Sequence, residues 1–361
     1  MFDFTVDADI TRAKTIHTDF YNNPEVFELC REKIFSHSWQ FIGSTDLVKH
    51  PEDVYPFTLL QDYLNEPLAL IRDKNHQLHL LSNVCTHRGN IIVEKKCSLP
   101  KLRCRYHGRN FSLDGKFLSM PEFKEVKNFP TKEDDLASLK IFQWSQWLFT
   151  TLNQKFPAED FLNDMIKRVS WMPLDKFIFR PDLSKEFHVK ANWALYCENY
   201  LEGFHIPYVH AELNAVIDFD KYSTELFFPY SSLQIGIARK DEGCFNLPAS
   251  SPEFGKKVAA YYFWIFPNTM FNFYPWGLSV NVVTPVDIDK CRVSFYSYVW
   301  DETKLDVGAG TGLDRVEMED EEIVENIQKG IRSRFYTQGR YSATREKGTH
   351  HFHRIIADFL K

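Results

Sequence analysis

Four residues in two short stretches pair a thiol with an imidazole. "VCTHRGN" places Cys85 two residues before His87. "LRCRYHGRNF" places Cys104 three before His107, and sixteen residues separate the halves. Two thiolates and two imidazoles suit a tetrahedral zinc ion. They also suit a Rieske [2Fe–2S] cluster, in which two cysteines hold one iron and two histidines the other. Zinc fingers commonly take both sulfurs from one half and both nitrogens from the other. Here each half is mixed, as a two-iron cluster requires if each loop is to touch both irons. Gly89 and Gly108 would let backbone amides approach the cluster sulfides.

A second stretch, "ENYLEGFHIPYVH" (198–210), holds two histidines five apart. Five residues carry a helix through about 500°, so His205 and His210 do not share the face that a zinc pair at spacing four would use. Pro207 predicts a helix that ends after His205, with His210 folding back. Alone, the pair is ambiguous.

The pattern C-x-H-x16-C-x-x-H resembles the Rieske domain of the Rieske non-haem iron oxygenases. This ring-hydroxylating superfamily includes aromatic-ring dioxygenases and quaternary-amine monooxygenases. Respiratory Rieske proteins usually add a cysteine pair that bridges the two loops. Cys97 has no such partner at the expected place, which fits the oxygenase type. The resemblance implies O₂ as co-substrate and electrons from NAD(P)H through a separate flavin and iron–sulfur reductase. It implies a homotrimer, in which His107 of one subunit lies near Glu202 of the next. No nucleotide or flavin motif is visible: "DVGAGTGLD" (306–314) lacks both the P-loop lysine and GxGxxG spacing.

A cluster carries single electrons, so oxygen activation calls for a second, open iron site, commonly two histidines and one carboxylate. His205 and His210 match the family's mononuclear-iron pattern, carboxylate-x-x-His-x4-His. The third ligand is sought in "LDRVEMEDEEIVENIQKGI" (313–331). Val316, Asp320, Ile323, Ile327 and Ile331 are spaced 4, 3, 4, 4 and predict one buried helical stripe. Asp320 falls inside it, while Glu319 and Glu321 lie roughly 100° from its centre. A carboxylate on an apolar face is costly unless paired or ligating. The family's third ligand is likewise an aspartate in such a helix. Glu202 matches the family's bridging carboxylate between an iron-ligating and a cluster-ligating histidine; its bland reading is a surface or capping charge. Asn199 matches a family asparagine near the iron, with a structural helix role the alternative.

Many ring hydroxylators have aspartate where this chain has Glu202. The glutamate, with "YTQGRYSATREKG", resembles the choline-, betaine- and carnitine-type monooxygenases. The implied reaction is hydroxylation at carbon next to nitrogen, giving N-demethylation or C–N cleavage. Aromatic cages recognise quaternary ammonium groups, and Trp264, Phe271, Phe273, Tyr274 and Trp276 are candidates; their alternative reading is sheet core. The competing functions are an aromatic-ring or aromatic-acid hydroxylase or demethylase and, from another class, a non-catalytic Rieske electron carrier or ligand sensor. His350, His351 and His353 resemble part of a structural helix.

These residues need positioning elements. Residues 12–38 read as short helices, with Val26, Leu29, Cys30, Lys33 and Ile34 on a mostly apolar stripe after Pro24. "PLALIRD" and "QLHLLSNVC" read as strands, and "SLDGKFL" as a hairpin turning at Asp114-Gly115. "FPAEDFLNDMIKRV" is helical, long aromatic strands follow, and 315–361 is mostly helical. The expected fold is α+β: a helical lead-in over 1–38 packing on the catalytic domain, an all-β Rieske [2Fe–2S] domain over 39–150, and a catalytic domain over 151–361. Resemblance makes the last a helix-grip, an antiparallel sheet around a long helix. The 361 residues suffice for two domains. No basic arm suggests nucleic acid, with 43 basic against 49 acidic residues. No apolar run approaches a membrane span. "MFDFTVDADITRAK" lacks a signal-peptide shape, and seven irregularly spaced cysteines suggest a reducing cytoplasm.

Overall fold

A computed structural model describes residues 3–240, 243–305 and 307–361. The chain divides into two compact units. One is Trp39–Gln154; the other joins the segment up to Ser38 to Lys155–Lys361.

The smaller unit is built from antiparallel strands. A five-stranded sheet runs in the order Cys97–Ser98, Asp53–Leu59, Glu66–Arg72, Leu78–Ser82, Ser138–Leu139. Leu68, Ala69, Leu70 and Ile71 are all buried, so the central strand is covered on both faces, as its unbroken apolar run requires. Gln40–Ser44, Trp147–Thr150 and Ile141–Trp144 make a second sheet. A third holds Leu102–Arg103, Asn110–Phe111 and Phe117–Ser119. The last two strands form the expected hairpin, with Gly115 at φ +88° in its turn. Cys85 and Cys104 belong to the same core as Val54, Ile71, Leu81 and Phe111.

The larger unit carries an eight-stranded antiparallel sheet. Ser223–Phe227, Ser231–Ile237, Val258–Ile265, Thr269–Tyr274, Gly277–Asp287 and Lys290–Val299 pair in sequence as a meander. The aromatic strands are separated by Pro267-Asn268 and by Pro275-Trp276, residues that break a ladder and favour turns. Gly277 sits at φ +155°, and a Cβ there would overlap the Tyr298 carbonyl, so the crossing requires glycine. Trp193–Tyr200, Leu313–Gly330 and Lys347–Leu360 are the unit's principal helices besides Glu159–Arg168. In the lead-in, Asn23 caps the helix Pro24–Cys30 by accepting from the Glu25 N–H at 2.8 Å. Of the expected stripe Val26, Cys30 and Ile34 are buried and Leu29 and Lys33 are half-buried, and Phe35 packs edge-on against Trp193 at 4.9 Å. The mixed helix–sheet architecture is the expected α+β class.

The 313–330 helix corrects the expected stripe. Its buried residues are Glu317, Val324 and Gln328, followed by Ile331, whereas Ile327 is 40% exposed. The buried face is turned by about one residue because polar side chains with dedicated partners occupy it. Gln328 Oε1 accepts from the Asn192 N–H at 2.7 Å, and Glu317 Oε2 from the Tyr196 hydroxyl at 2.6 Å. Asp320 stays on the inward side, partly buried.

Candidate metal centres

In the smaller unit the two Cys/His stretches fold alike. Cys85 N–H donates to the Asn90 carbonyl at 2.9 Å and Gly89 N–H to the Cys85 carbonyl at 3.0 Å. Cys104 N–H donates to the Arg109 carbonyl at 2.8 Å and Gly108 N–H to the Cys104 carbonyl at 3.0 Å. Gly89 and Gly108 close these turns at φ +69° and +72°. Around Gly89 a Cβ would meet nothing, so its requirement is conformational. Asn83 bonds both the N–H and the carbonyl of Val93, holding the first loop. Arg109 is 2% exposed, pairs with Asp134 at 2.6 Å and stacks on Phe117 at 4.8 Å, buttressing the second.

The loops converge. The His87 and His107 rings lie 4.8 Å apart, Asn90 of the first loop donates from Nδ2 to Cys104 Sγ of the second at 3.6 Å, and the two cysteines share one core. The cysteines are buried and His107 is exposed, so the sulfurs form the floor and the imidazoles the rim. Burial opposes charge on Cys104, yet the backbone N–H groups of Tyr106 and His107, Cys85 and the Asn90 amide hold its pKa below the ordinary thiol value. Burial pushes Cys85 up. Amides aimed at sulfur favour the thiolates that a cluster needs.

In the larger unit the histidines converge by a route other than the one expected. The first helix ends at Tyr200, and Leu201–Gly203 turn the chain. Pro207 is the second residue of the short helix Ile206–Val209, in the first turn, where its missing N–H costs nothing. His205 and His210 flank that single turn. Their Nε2 atoms are 3.1 Å apart, and Asp320 Oδ1 lies 3.0 Å from His210 Nε2 and 3.5 Å from His205 Nε2. Cis ligands on a metal at roughly 2.1 Å sit about 3.0 Å apart, the spacing of a facial 2-His-1-carboxylate triad.

Protonation supports the same reading. His205 Nδ1 lies 2.7 Å from Glu202 Oε1, and His210 Nδ1 lies 2.8 Å from Glu319 Oε2. Protons held on both Nδ1 atoms leave two Nε2 lone pairs and a carboxylate oxygen facing one point, an arrangement that could hold a cation. Burial works against a charged His210, but Asp320 and Glu319 raise its pKa above the ordinary value, so the site draws positive charge. Asn199 Nδ2 donates to Asp320 Oδ1 at 2.6 Å. Glu202 also accepts from the backbone N–H groups of Phe204 and His205, so it caps this turn as well as holding an imidazole.

A cavity of about 810 Å³, its open mouth included, lies over the triad. Of the expected cage residues only Tyr274 lines it. Trp264 packs in the core against Phe266 and Phe352, at 5.9 and 5.1 Å. Phe271 and Phe273 alternate with Asn272 and Tyr274 and fall on the other face of the sheet. Tyr196, Tyr200, Tyr222, Tyr262 and Phe295 supply the remaining large rings. Gln234, Tyr262, Asn272 and Ser279 form one register row across four strands, all lining the cavity. Sequence reading missed this row; its signal is a polar residue inside each of the apolar runs "SSLQIGI", "TMFNFY" and "GLSVNVV". Glu319 was also missed.

His350, His351 and His353 have structural partners. His350 Nε2 lies 2.7 Å from the Asp7 carbonyl, His353 Nδ1 2.6 Å from the Tyr341 hydroxyl, and His351 packs on Phe228. The glycine-rich segment forms a short turn at Gly308–Gly310, with Gly310 tight against Trp276; its Asp306 lies outside the described residues.

Comparison with known proteins places both units. Residues 178–361 match the family described as ring hydroxylating alpha subunit (catalytic domain), and residues 38–130 match the Rieske [2Fe-2S] domain. The chain is 30% identical to the chloroplastic choline monooxygenase of Beta vulgaris, over 97% of this chain and 78% of that protein. It is 26% identical to the carnitine monooxygenase oxygenase subunit of Escherichia coli (strain K12), over 98% and 96%. The quaternary ammonium Rieske monooxygenase CntA, solved with L-carnitine, shares the fold with a TM-score of 0.78 at 24% identity, over 98% and 97% of the two chains. Naphthalene 1,2-dioxygenase from Rhodococcus sp. shares it with a TM-score of 0.78 at 19% identity, over 96% and 94%.

Proposed function

The chain belongs to the Rieske ring-hydroxylating oxygenases, and on that premise we propose that it hydroxylates a quaternary ammonium compound at a carbon next to nitrogen, with N-demethylation or C–N cleavage as the outcome. The observation that carries this is the cavity over His205, His210 and Asp320: five tyrosines and the carboxyl groups of Glu202 and Glu317 line it. Aromatic faces and carboxylates attract a cation that has no N–H to donate. The relatives named choline and carnitine monooxygenase point the same way.

Cys85, His87, Cys104 and His107 would hold the cluster, and His205, His210 and Asp320 the Fe(II). When bound, the cluster supplies single electrons and the iron activates O₂. Glu202 and Glu319 fix the imidazole tautomers, and Asn199 fixes the Asp320 carboxylate. Glu202 is 15% exposed at its side chain, and we assign it the bridge to the cluster of a neighbouring subunit in a homotrimer. Exposed His107 is the matching end of that bridge. Electrons come from NAD(P)H through a separate flavin and iron–sulfur reductase. Among the described residues no helix is long and apolar enough to cross a membrane. We place the protein in the cytoplasm, as its irregular cysteine spacing suggests.

The test is a substrate screen with reductase and NADH, scoring O₂ consumption together with formaldehyde or trimethylamine. Coupled product from a quaternary amine is expected. O₂ uptake coupled only to aromatic substrates, or none with any amine, overturns the proposal.

A further inference from the structure

Two side chains that line the cavity each carry a buried oxygen without a partner. Glu317 is 4% exposed; its Oε2 accepts from Tyr196, and its Oε1 has no hydrogen-bond partner. Gln234 is 2% exposed; its Nε2 donates to the Tyr200 carbonyl at 2.6 Å, and its Oε1 has no partner. The carbonyl fixes which end of the Gln234 amide is nitrogen, so the open atom is an oxygen. A buried acceptor left open is costly, and a ligand that fills it recovers that cost. Among the described residues lining the cavity there is no lysine or arginine.

These observations define a complement. No lysine or arginine among the lining side chains would pair with a substrate carboxylate, and the carboxyl groups of Glu202 and Asp320 would offset the charge of an iron held by the triad, with Glu317 a further acidic group. It offers an acidic group on the helix side and a neutral acceptor on the sheet side. We propose that Glu317 and Gln234 read the two ends of the substrate, Glu317 facing the ammonium group and Gln234 accepting from a hydroxyl or amide N–H, so that the preferred substrate is a donor-bearing cation without a carboxylate. This rests on the quaternary-ammonium reading above and narrows it.

The walls suit this division. Glu317 shares its helix with Asp320, one turn before it, which keeps the charged end of the ligand beside the triad. Gln234 shares its row with Tyr262 and Asn272. The Asn272 oxygen is taken by the Tyr200 hydroxyl at 2.8 Å, and that of Asn281 by Ser279 at 2.7 Å, so Gln234 provides the open amide oxygen on this wall. Burial pushes the Glu317 carboxyl up to about 8. A cation beside it reverses part of that rise, and the charge is completed by the ligand.

The experiment is calorimetric titration of the iron-loaded holoenzyme at pH 8.5, anaerobically and without reductase, so that no turnover occurs. The probes are tetramethylammonium, (2-hydroxyethyl)trimethylammonium and (carboxymethyl)trimethylammonium. The hydroxyethyl probe should bind about fivefold to tenfold more tightly than tetramethylammonium, the worth of one satisfied acceptor. The carboxymethyl probe should bind at least about tenfold more weakly than the hydroxyethyl probe, because like charges oppose it. Glu317→Gln, which keeps an acceptor for Tyr196, should weaken all three cations about tenfold to a hundredfold. Gln234→Met should abolish the hydroxyethyl advantage and leave tetramethylammonium unchanged, with melting temperature checked in parallel. Equal or tighter binding of the carboxymethyl probe, or an unchanged ranking in Gln234→Met, overturns this inference and leaves the broader reading standing. Failure of all three probes to bind overturns both.

Discussion

Glu202 and Glu319 do the same local work from different elements. Each accepts from the Nδ1–H of one proposed iron-binding imidazole. Only Glu202 has a second expected task, relaying electrons, and the two roles separate by substitution. Glu202→Gln keeps an acceptor for His205, so both metals should remain bound while coupled turnover falls on the order of a hundredfold. Metal analysis beside NADH-driven O₂ uptake checks this; retained turnover rules out the bridge. Glu319→Ala removes the orienting group of His210 outright. Iron affinity should fall about tenfold to a hundredfold, read by chelator competition, with no loss of the Rieske spectrum. The contrast shows what a single sequence reveals. Glu202 is legible because it lies three residues from His205. Glu319 is not, because His210 reaches it across 109 positions. The aromatic cage was misread for a related reason: strand parity sends Phe271 and Phe273 away from the cavity, and only pairing partners show which face is inside.

At the scale of elements, the C-terminal helix Lys347–Leu360 supports the turn that carries Glu202. Gly348 meets the Leu201 carbonyl so closely that a Cβ would overlap it. Glycine to alanine inside a helix ordinarily stabilises by up to about 1 kcal/mol. Here overpacking against backbone, about 1–3 kcal/mol, should win. Gly348→Ala is expected to lower the urea midpoint; a raised midpoint would show that the helix can shift. The same helix buries His351, and burial pushes its pKa down to about 4. Free imidazole titrates near 6.5, so the unfolded chain takes the proton first. The contribution of His351 to stability is intact above pH ~6.5 and is lost as pH falls toward about 4, amounting to roughly 2 kcal/mol at pH 5. His351→Leu should therefore lose less stability than the parent between pH 7.5 and pH 5, measured by urea unfolding at both. Equal losses would place the acid sensitivity elsewhere. The helices themselves were legible from periodicity. The rotation of the 313–330 helix was not, because Glu317 and Gln328 are buried by partners that hydropathy cannot register.

At the scale of the whole chain, the two units own separate chemistries. Cys85 and Cys104 are part of the packed core of the Trp39–Gln154 unit, and His205, His210 and Asp320 lie in the other. The resemblance carried by four residues anticipated the family and the α+β class, because cluster-binding loops tolerate little variation in spacing. It left the cavity chemistry open, since that is set by side chains from five or more elements. If the units bind metal independently, the fully loaded protein holds about three irons per chain, two in the cluster and one in the triad. Cys104→Ser should then retain about one iron and lose colour and the reduced-state Rieske EPR signal. His210→Ala should retain about two irons and the full signal, yet support no O₂ uptake. A zinc site would instead give a colourless parent protein with about one iron. Loss of both metals from either variant would mean that the units do not hold their metals independently. Because each variant leaves one site as an internal control, metal content and the EPR spectrum together separate loss of a ligand from loss of the fold.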